Sequence, residues 1–165
     1  MIQGFVRCTC NLSSNPATLN LRMKHLKESS ALEQAFFDQD FQILLVSLYE
    51  NERPLKGLAG RMDWLFYGQI SYFLKQGFIH GRPDEYVLIP VRKNHIPYSL
   101  LLIGAGASTK PGKRIKLSAG TLSRISSHLS TLGTQKVGLS LSDFGDVSPE
   151  SLKKHFPGAE LWISQ

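Results

Sequence analysis

The feature that most constrains the fold is a nearly continuous apolar run from Phe41 to Leu48, in which Gln42 and Ser47 are the polar exceptions. A strand with one face in water alternates apolar and polar residues, whereas a strand covered on both faces is apolar almost throughout. The run therefore predicts a central strand in a sheet that is covered on both faces.

Two further apolar runs, Tyr86–Val91 and Ser99–Ile103, predict another pair of buried strands. Only a short turn, which contains His95 and Pro97, separates them. Strands joined by so few residues pair side by side and run in opposite directions. We therefore expect one antiparallel pair within the sheet.

The remaining strands are predicted towards the two ends of the chain. Leu19–Met23 alternates apolar and polar residues, which is typical of a half-buried edge strand. Lys136–Leu141 predicts a fifth strand and Ala159–Ser164 a last one. Residues 1–18 are rich in turn-forming residues and are expected to be irregular.

The segment after the central strand is predicted to be one helix. Its apolar residues recur at spacings of three and four, which forms a broad stripe along one helix face. These residues are Leu58, Met62, Leu65, Phe66, Ile70, Phe73 and Leu74. Gly77 follows at the place where a left-handed residue commonly ends a helix.

Two more helices are predicted in the second half of the chain. The apolar stripe of the first consists of Ala119, Leu122, Ile125, Leu129 and Leu132, and Gly133 ends it. The second begins after Ser148, a favourable N-cap residue that Pro149 follows at the first helical position, and runs to about His155.

The order of these elements predicts an α/β fold with a mixed β-sheet flanked by helices on both faces. A chain of 165 residues of which 42% are hydrophobic is long and apolar enough to form one substantial core. It contains no internal repeat and no linker-like segment. We therefore expect a single domain over residues 1–165.

The charge balance bears on partners and location. The chain has 19 Lys and Arg residues against 13 Asp and Glu, a net charge of +6, which favours contact with nucleic acid or an acidic protein surface. No apolar run approaches the roughly 20 residues of a membrane-spanning helix, and the first residues lack the pattern of a secretory signal. We expect a cytoplasmic protein without membrane contact.

Metal-binding and catalytic motifs are missing from the sequence. Cys8 and Cys10 are separated by one residue, so we interpret them as thiols rather than a disulfide. There is no second cysteine pair, the five histidines are scattered, and no Gly-x-Ser-x-Gly segment occurs. We therefore expect no metal, no cofactor and no enzymatic activity.

A series of short blocks between Phe41 and about Asp146 has the order and spacing of a known domain. The blocks are Ile43–Val46, Leu58–Asp63, Gly68–Ser71, Leu74–Phe78, Gly81–Glu85, Val87–Pro90 and Leu100–Gly106. Over residues 41–146, about two thirds of the chain, they resemble the N-terminal domain of the leucine aminopeptidase family. The resemblance implies a fold similar to macro domains.

The same resemblance implies that this chain is not a peptidase. In that family a separate C-terminal domain holds a two-metal site in an Asn-Thr-Asp-Ala-Glu-Gly-Arg type segment, and no such segment occurs here. We therefore expect a non-catalytic binding or assembly domain whose partner is another protein or a second copy. Trp64, Phe66, Tyr67 and Tyr72 crowd one predicted helix on more than one side, which indicates either core packing or a docking surface.

An alternative function is the binding of ADP-ribose or another nucleotide. A glycine turn after a buried strand can present N–H groups to a phosphate, and the candidate residues are Gly104, Gly106, Ser108, Thr109 and Lys110. The spacing fits neither the Walker nor the dinucleotide motif, so a purely structural turn remains open. Some proteins with macro-like folds bind ADP-ribose, which is an analogy from fold alone.

A second alternative is nucleic-acid binding through a basic helix face. The candidate residues are Lys110, Lys113, Arg114, Lys116 and Arg124, and some bacterial leucine aminopeptidases also bind DNA. Contacts of this kind go to phosphates and weaken with salt. A solvated helix face explains the same charges. Exposed aromatic side chains for base stacking are not expected, because most aromatic residues lie on apolar stripes.

Overall fold

A computed structural model of the chain describes residues 22–108, 114, 117–145 and 147–165. The strands in these ranges are β1 (Met23–Leu26), β2 (Ile43–Tyr49), β3 (Tyr86–Lys93), β4 (Ile96–Gly106), β5 (Lys136–Ser140) and β6 (Glu160–Ser164). The helices are α1 (Ser29–Phe37), α2 (Gly57–Leu65), α3 (Gln69–Lys75), α4 (Ala119–Thr131) and α5 (Pro149–His155). A short 3-10 turn covers Ser142–Phe144.

The six strands form one mixed sheet in the order β1-β6-β5-β2-β4-β3. All neighbouring strands are parallel except β3 and β4, which form the antiparallel pair that the sequence predicts. Because five strands run in the same direction, their carboxyl ends lie along one edge of the sheet. The segments that follow β2, β4 and β5 therefore begin close together.

Strand β2 lies inside the sheet and is buried along its whole length, as its apolar run predicts. Leu44, Val46 and Leu48 pack in one core with residues of α1, α2 and α3. Leu45 and Tyr49 pack in a second core with residues of α4 and α5. The predicted α/β class, with helices on both faces of a mixed sheet, is confirmed.

The predicted single helix from Leu58 to Leu74 is wrong, because the structure divides this segment into α2 and α3. Tyr67 and Gly68 have φ angles of 57° and 80°, a left-handed conformation that interrupts a right-handed helix. The Asp63 carboxylate then accepts a hydrogen bond of 2.8 Å from the Ser71 N–H and stabilises the start of α3. Gly77 follows α3 with a φ of 75°, as expected.

Helix α1 is an element that the sequence analysis did not predict. Its buried residues Leu32, Ala35 and Phe36 have helical spacing, so the signal is present but short. Phe36 stacks on Phe41, with ring centroids 5.5 Å apart. Helix α1 thereby covers the sheet beside the first residue of the apolar run.

Strand β1 forms an edge of the sheet, as expected, but covers Met23–Leu26 rather than Leu19–Met23. Met23 is common to both ranges; residues 1–21, which include the segment predicted to be irregular and both cysteines, lie outside the described residues. Within the described ranges, no helix is long and apolar enough to cross a membrane.

The predicted end of α4 at Gly133 and the predicted cap of α5 at Ser148 are confirmed. The Ser118 side chain accepts a hydrogen bond from the Thr121 N–H at the start of α4, and Gly133 follows that helix with a φ of 66°. The Ser148 side chain accepts one from the Ser151 N–H at the start of α5. Both caps satisfy backbone donors that the helix itself leaves free.

Candidate functional site

The topology singles out one place at the carboxyl edge of the sheet, where the connections between the strands reverse direction. The chain leaves β2 towards β4 on one side, whereas it leaves β5 towards β6 on the other. In open α/β sheets, ligands bind where the direction of the connections reverses in this way. Here that place lies between the segment that links β2 to α2 and the segment that follows β5, and we call it the crevice.

Arg114 is a cation at this crevice, and its side chain is only 16% exposed. Its Nη1 donates to Glu52 Oε2 over 2.7 Å, and its Nε lies 3.8 Å from Asp143 Oδ1. The guanidinium also lies over the Tyr49 ring, 4.9 Å from the ring centroid. Glu52 follows β2 and Asp143 follows β5, so Arg114 connects the two sides of the crevice.

The Asp143 side chain packs against the start of helix α2, and the residue is 4% exposed. Its Oδ2 accepts a hydrogen bond of 2.8 Å from the Leu58 N–H, one of the donors that the helix leaves unpaired. A side chain at residue 57 would clash with Asp143 Oδ1 and would lie 2.7 Å from Arg114 Nη2. Gly57 also has a φ of 59°, so a side chain here would strain the backbone and force Asp143 or Arg114 to shift.

Burial and charge act in opposite directions on these side chains. Burial raises the pKa of Asp143, and the Leu58 N–H and the Arg114 charge do not fully offset it. Burial lowers the pKa of Arg114, but the bond to Glu52 and the Asp143 charge outweigh it, so the net shift is upward. Arg114 therefore stays charged, while Asp143 takes up a proton more readily than an aspartate in water.

A second pair of contacts joins the segments that follow β2 and β4. Asn51 Nδ2 donates to the Ser108 carbonyl over 2.8 Å, and the Ser108 N–H donates to Asn51 Oδ1 over 2.9 Å. Arg53 Nη1 donates to the carbonyls of Tyr49 and Glu52 over 2.9 and 2.7 Å. The Asn51 bonds join the two segments, and the Arg53 bonds lie within the segment that follows β2.

The predicted glycine turn is not where the sequence put it, because β4 continues as a strand through Gly106. The Gly104 N–H donates to the Glu85 carbonyl and the Gly106 N–H to the Gly81 carbonyl, each over 2.8 Å. A side chain at residue 104 would clash with the Arg82 carbonyl. Gly104 thus allows a close approach of two backbones.

Phosphate binding by this segment stays a prediction. The N–H groups of Gly104, Gly106 and Ser108 donate to other groups of the chain. Thr109 and Lys110, the other two candidates, lie outside the described residues.

The described residues of the basic segment point to different partners. Arg114 turns into the crevice, whereas Arg124 lies exposed on α4 and is paired with Asp84. Lys110, Lys113 and Lys116 lie outside the described residues. The structure therefore does not bring Arg114 and Arg124 together as one exposed basic face.

The expectation that few aromatic side chains are exposed is wrong. Trp64 and Tyr67 are 80% and 78% exposed, and Tyr72 and Phe78 are also exposed, whereas Phe66 is fully buried. We call Trp64 and Tyr67, which border the same groove, the aromatic face. Trp64 and Tyr67 border a groove of about 480 Å³ whose other lining residues include Arg53, Pro54 and Leu55.

A serine–histidine contact lies elsewhere, between α4 and α5. Ser123 Oγ is 3.1 Å from His155 Nδ1, and both residues are at the surface. A catalytic triad also needs a group that orients the histidine, and in the described part of the chain no carboxylate contacts His155. In the same part no group of three or more His, Cys, Asp or Glu residues could hold a metal ion.

Glu52, Gly57 and Asp143 were not among the residues that sequence reasoning singled out. The signal that could have found Glu52 and Asp143 is their position, three residues after the ends of β2 and β5. Residues that follow parallel strands gather at one edge of the sheet. That signal depends on knowing the strand order, which the sequence alone does not provide.

Comparison with known proteins identifies the fold. A scan against models of protein families gives no match for this chain, and neither does a search of curated proteins. Solved structures do match. The macrodomain of Thermus aquaticus DarG has a TM-score of 0.58 at 10% identity, over 87% of this chain and 97% of that one. The X-domain of IBV has a TM-score of 0.56 at 10% identity, over 87% and 89%.

Two longer proteins contain a similar domain. Thermosipho africanus DarTG in complex with ADP-ribose matches with a TM-score of 0.59 at 14% identity, over 88% of this chain and 42% of that one. A tomato leucine aminopeptidase mutant matches with a TM-score of 0.57 at 11% identity, over 88% of this chain and 32% of that one. This chain spans about a third of the aminopeptidase. The fold is macrodomain-like, and identities this low show the fold alone.

Proposed function

We propose that this chain is a macrodomain-like module that binds ADP-ribose or a related nucleotide in the crevice between β2 and β5. One structure of the same fold is a complex with ADP-ribose. The observation that carries the proposal is the partly buried cation Arg114 at the position where the connections between parallel strands reverse. Nucleotide binding thus takes the place of protein assembly, which the sequence analysis gave as the main expectation.

The chemistry of the crevice suits a diphosphate. An arginine guanidinium can donate two parallel hydrogen bonds to phosphate oxygens and does not lose its charge. The N-terminus of α2 adds backbone donors, of which the Leu58 N–H already binds a carboxylate. We propose binding without catalysis.

The direct test is calorimetric titration with ADP-ribose, ADP and adenosine. We expect the two diphosphates to bind and adenosine to bind at least about tenfold more weakly, because it lacks the charged hydrogen bonds. No heat from millimolar ADP-ribose or ADP would overturn the proposal.

A pair of arginine variants locates the site. Arg114→Lys keeps the charge but loses the paired donors, so we expect the Kd for ADP-ribose to rise about tenfold. Arg124→Lys, on the surface of α4, is the matched control and should leave the Kd unchanged. Equal effects of both substitutions would move the ligand away from the crevice.

A second candidate function, protein assembly, is favoured by the aromatic face. Exposed aromatic side chains beside a groove are typical of protein interfaces. The partner would be another protein or a second copy, in keeping with the resemblance to the aminopeptidase N-terminal domain. We expect Trp64→Ala to weaken any self-association seen in sedimentation equilibrium. If wild type and Trp64→Ala are both monomers at all concentrations, the partner of this face would have to be a different protein.

A further inference from the structure

We propose that the Asp143 carboxylate is a built-in competitor for the crevice, which a ligand phosphate must displace from the Leu58 N–H and from Arg114 before it can bind. The inference rests on the proposed function, because it concerns the same crevice. It goes further by making binding depend on the state of one side chain of this chain.

The geometry makes Asp143 an intramolecular counterpart of an anionic ligand. Its two carboxylate oxygens have different partners: Oδ2 accepts from the Leu58 N–H over 2.8 Å, and Oδ1 lies 3.8 Å from Arg114 Nε. A phosphate group would use the same kinds of donor, a helix N-terminus and a guanidinium. Because residue 57 is a glycine, the space beside it is available to the Asp143 carboxylate.

Arg114 is held by two carboxylates at once. Glu52 binds it over 2.7 Å, so Arg114 has a partner whether or not Asp143 stays in place. Release of Asp143 therefore leaves Arg114 paired and near the crevice, with one flank free for a phosphate. Glu52 is thus the partner that Arg114 keeps, and Asp143 is the partner that the ligand displaces.

The competition is sensitive to pH. The charged groups that face Asp143 are Arg114, Glu52 and Arg61, and burial raises the pKa of Asp143 above its usual value. Protonation removes the charge that competes with the ligand and weakens the contact with Arg114. Ligand affinity should therefore increase as the pH falls towards the pKa of Asp143, while the ADP-ribose diphosphate keeps its charge.

The test compares wild type, Asp143→Asn and Asp40→Asn by calorimetry with ADP-ribose at about pH 7.5 and about pH 5. Asparagine has the shape of aspartate and can still accept from the Leu58 N–H, but it carries no charge. Asp40, an exposed residue between α1 and β2, is the charge-matched control. Inorganic phosphate at about pH 7.5 is a second probe.

We expect Asp143→Asn to bind ADP-ribose about tenfold more tightly than wild type at the higher pH and to lose the pH dependence. Asp40→Asn should behave as wild type. Wild-type binding of ADP-ribose with no gain in Asp143→Asn would overturn the competitor while the proposed function stands. If inorganic phosphate binds to Asp143→Asn but not to wild type or Asp40→Asn, this would support Asp143 as the competitor even where ADP-ribose does not bind. Binding of neither probe by any variant would overturn both.

Thermal melts decide whether each variant is folded. If Asp143→Asn unfolds, Asp143→Ser takes its place, because serine also carries no charge and is a favourable acceptor for the N–H groups at a helix start. We then expect tighter binding of ADP-ribose by Asp143→Ser than by wild type. Weaker or equal binding would overturn competition between the Asp143 carboxylate and the ligand.

Discussion

Gly57 lies against the Asp143 carboxylate so closely that a side chain on residue 57 would force the carboxylate to shift. The two residues come from opposite sides of the crevice, at the start of α2 and in the 3-10 turn after β5. The contact between these two residues thus joins the start of α2 to the segment that follows β5.

The first prediction concerns this contact. We expect Gly57→Ala to lower the free energy of unfolding by about 2 kcal/mol or more, because the methyl group meets Asp143 and Arg114 and the backbone is left-handed. Gly133→Ala has a similar φ of 66° with nothing within 4 Å of the added carbon. Chemical denaturation should show a cost of only about 1 kcal/mol for that control. Equal costs would mean that the contact with Asp143 is unimportant.

The second prediction concerns Glu85, whose carboxylate holds the turn between α3 and β3. Its Oε2 accepts from the N–H groups of His80, Gly81 and Arg82 over 2.7, 2.8 and 3.0 Å. Burial raises the pKa of Glu85, but these bonds together with the His80 side chain outweigh it and lower the pKa overall. A lowered pKa in the folded state means that the ionised form is stabilised by folding.

The stability that Glu85 contributes should be fully present above the pKa of an unfolded glutamate. It should be lost as the pH falls through the lower pKa of the folded state. We expect Glu85→Gln to lower the free energy of unfolding at neutral pH by on the order of 1 kcal/mol, and no more because the carboxylate is partly in water. Thermal melts over a range of pH measure this difference. The difference from wild type should shrink in acid. A difference that is constant with pH would contradict this role.

The third prediction concerns the aromatic core under α1. The Phe36 ring contacts the rings of Phe37, Phe41, Phe66 and Tyr98, with centroids 5.2 to 6.4 Å apart. We expect Phe36→Ala to lower the free energy of unfolding by about 3–5 kcal/mol, because it leaves a cavity in this cluster.

Phe78 provides the control for that substitution. It is 63% exposed, and Phe78→Ala should change the free energy of unfolding by less than about 1 kcal/mol. Both values come from urea denaturation monitored by tryptophan fluorescence. Similar losses for the two variants would show that α1 does not anchor the core.

The fourth prediction tests the nucleic-acid alternative. Arg124 is exposed on α4 but paired with Asp84, so it is not free to contact a phosphate. We expect Arg124→Ala to change the affinity for a labelled DNA duplex by less than about twofold, measured by fluorescence polarisation over a range of salt. A clear loss of affinity with a smaller salt dependence would instead support a phosphate contact at this residue.

The sequence by itself determined the layers of the protein. Phe41–Leu48 had to be a strand covered on both faces, because its side chains on both sides are apolar and burial is the main source of stability. The pair β3–β4, the helix end at Gly133 and the cap at Ser148 depend on neighbouring residues alone, so their prediction from local patterns succeeded. The helical stripe from Leu58 to Leu74 was also local, but one left-handed turn at Tyr67 and Gly68 interrupted it.

Only the tertiary structure decided which residues form the crevice. Leu58 and Asp143 are 85 positions apart and meet because β5 pairs with β2, a choice of neighbour that periodicity does not specify. The roles of Gly104 and the exposure of Trp64 have the same origin. A pattern shows that a position is small or apolar, but the backbone that approaches it, or the absence of a covering layer, depends on how distant segments pack.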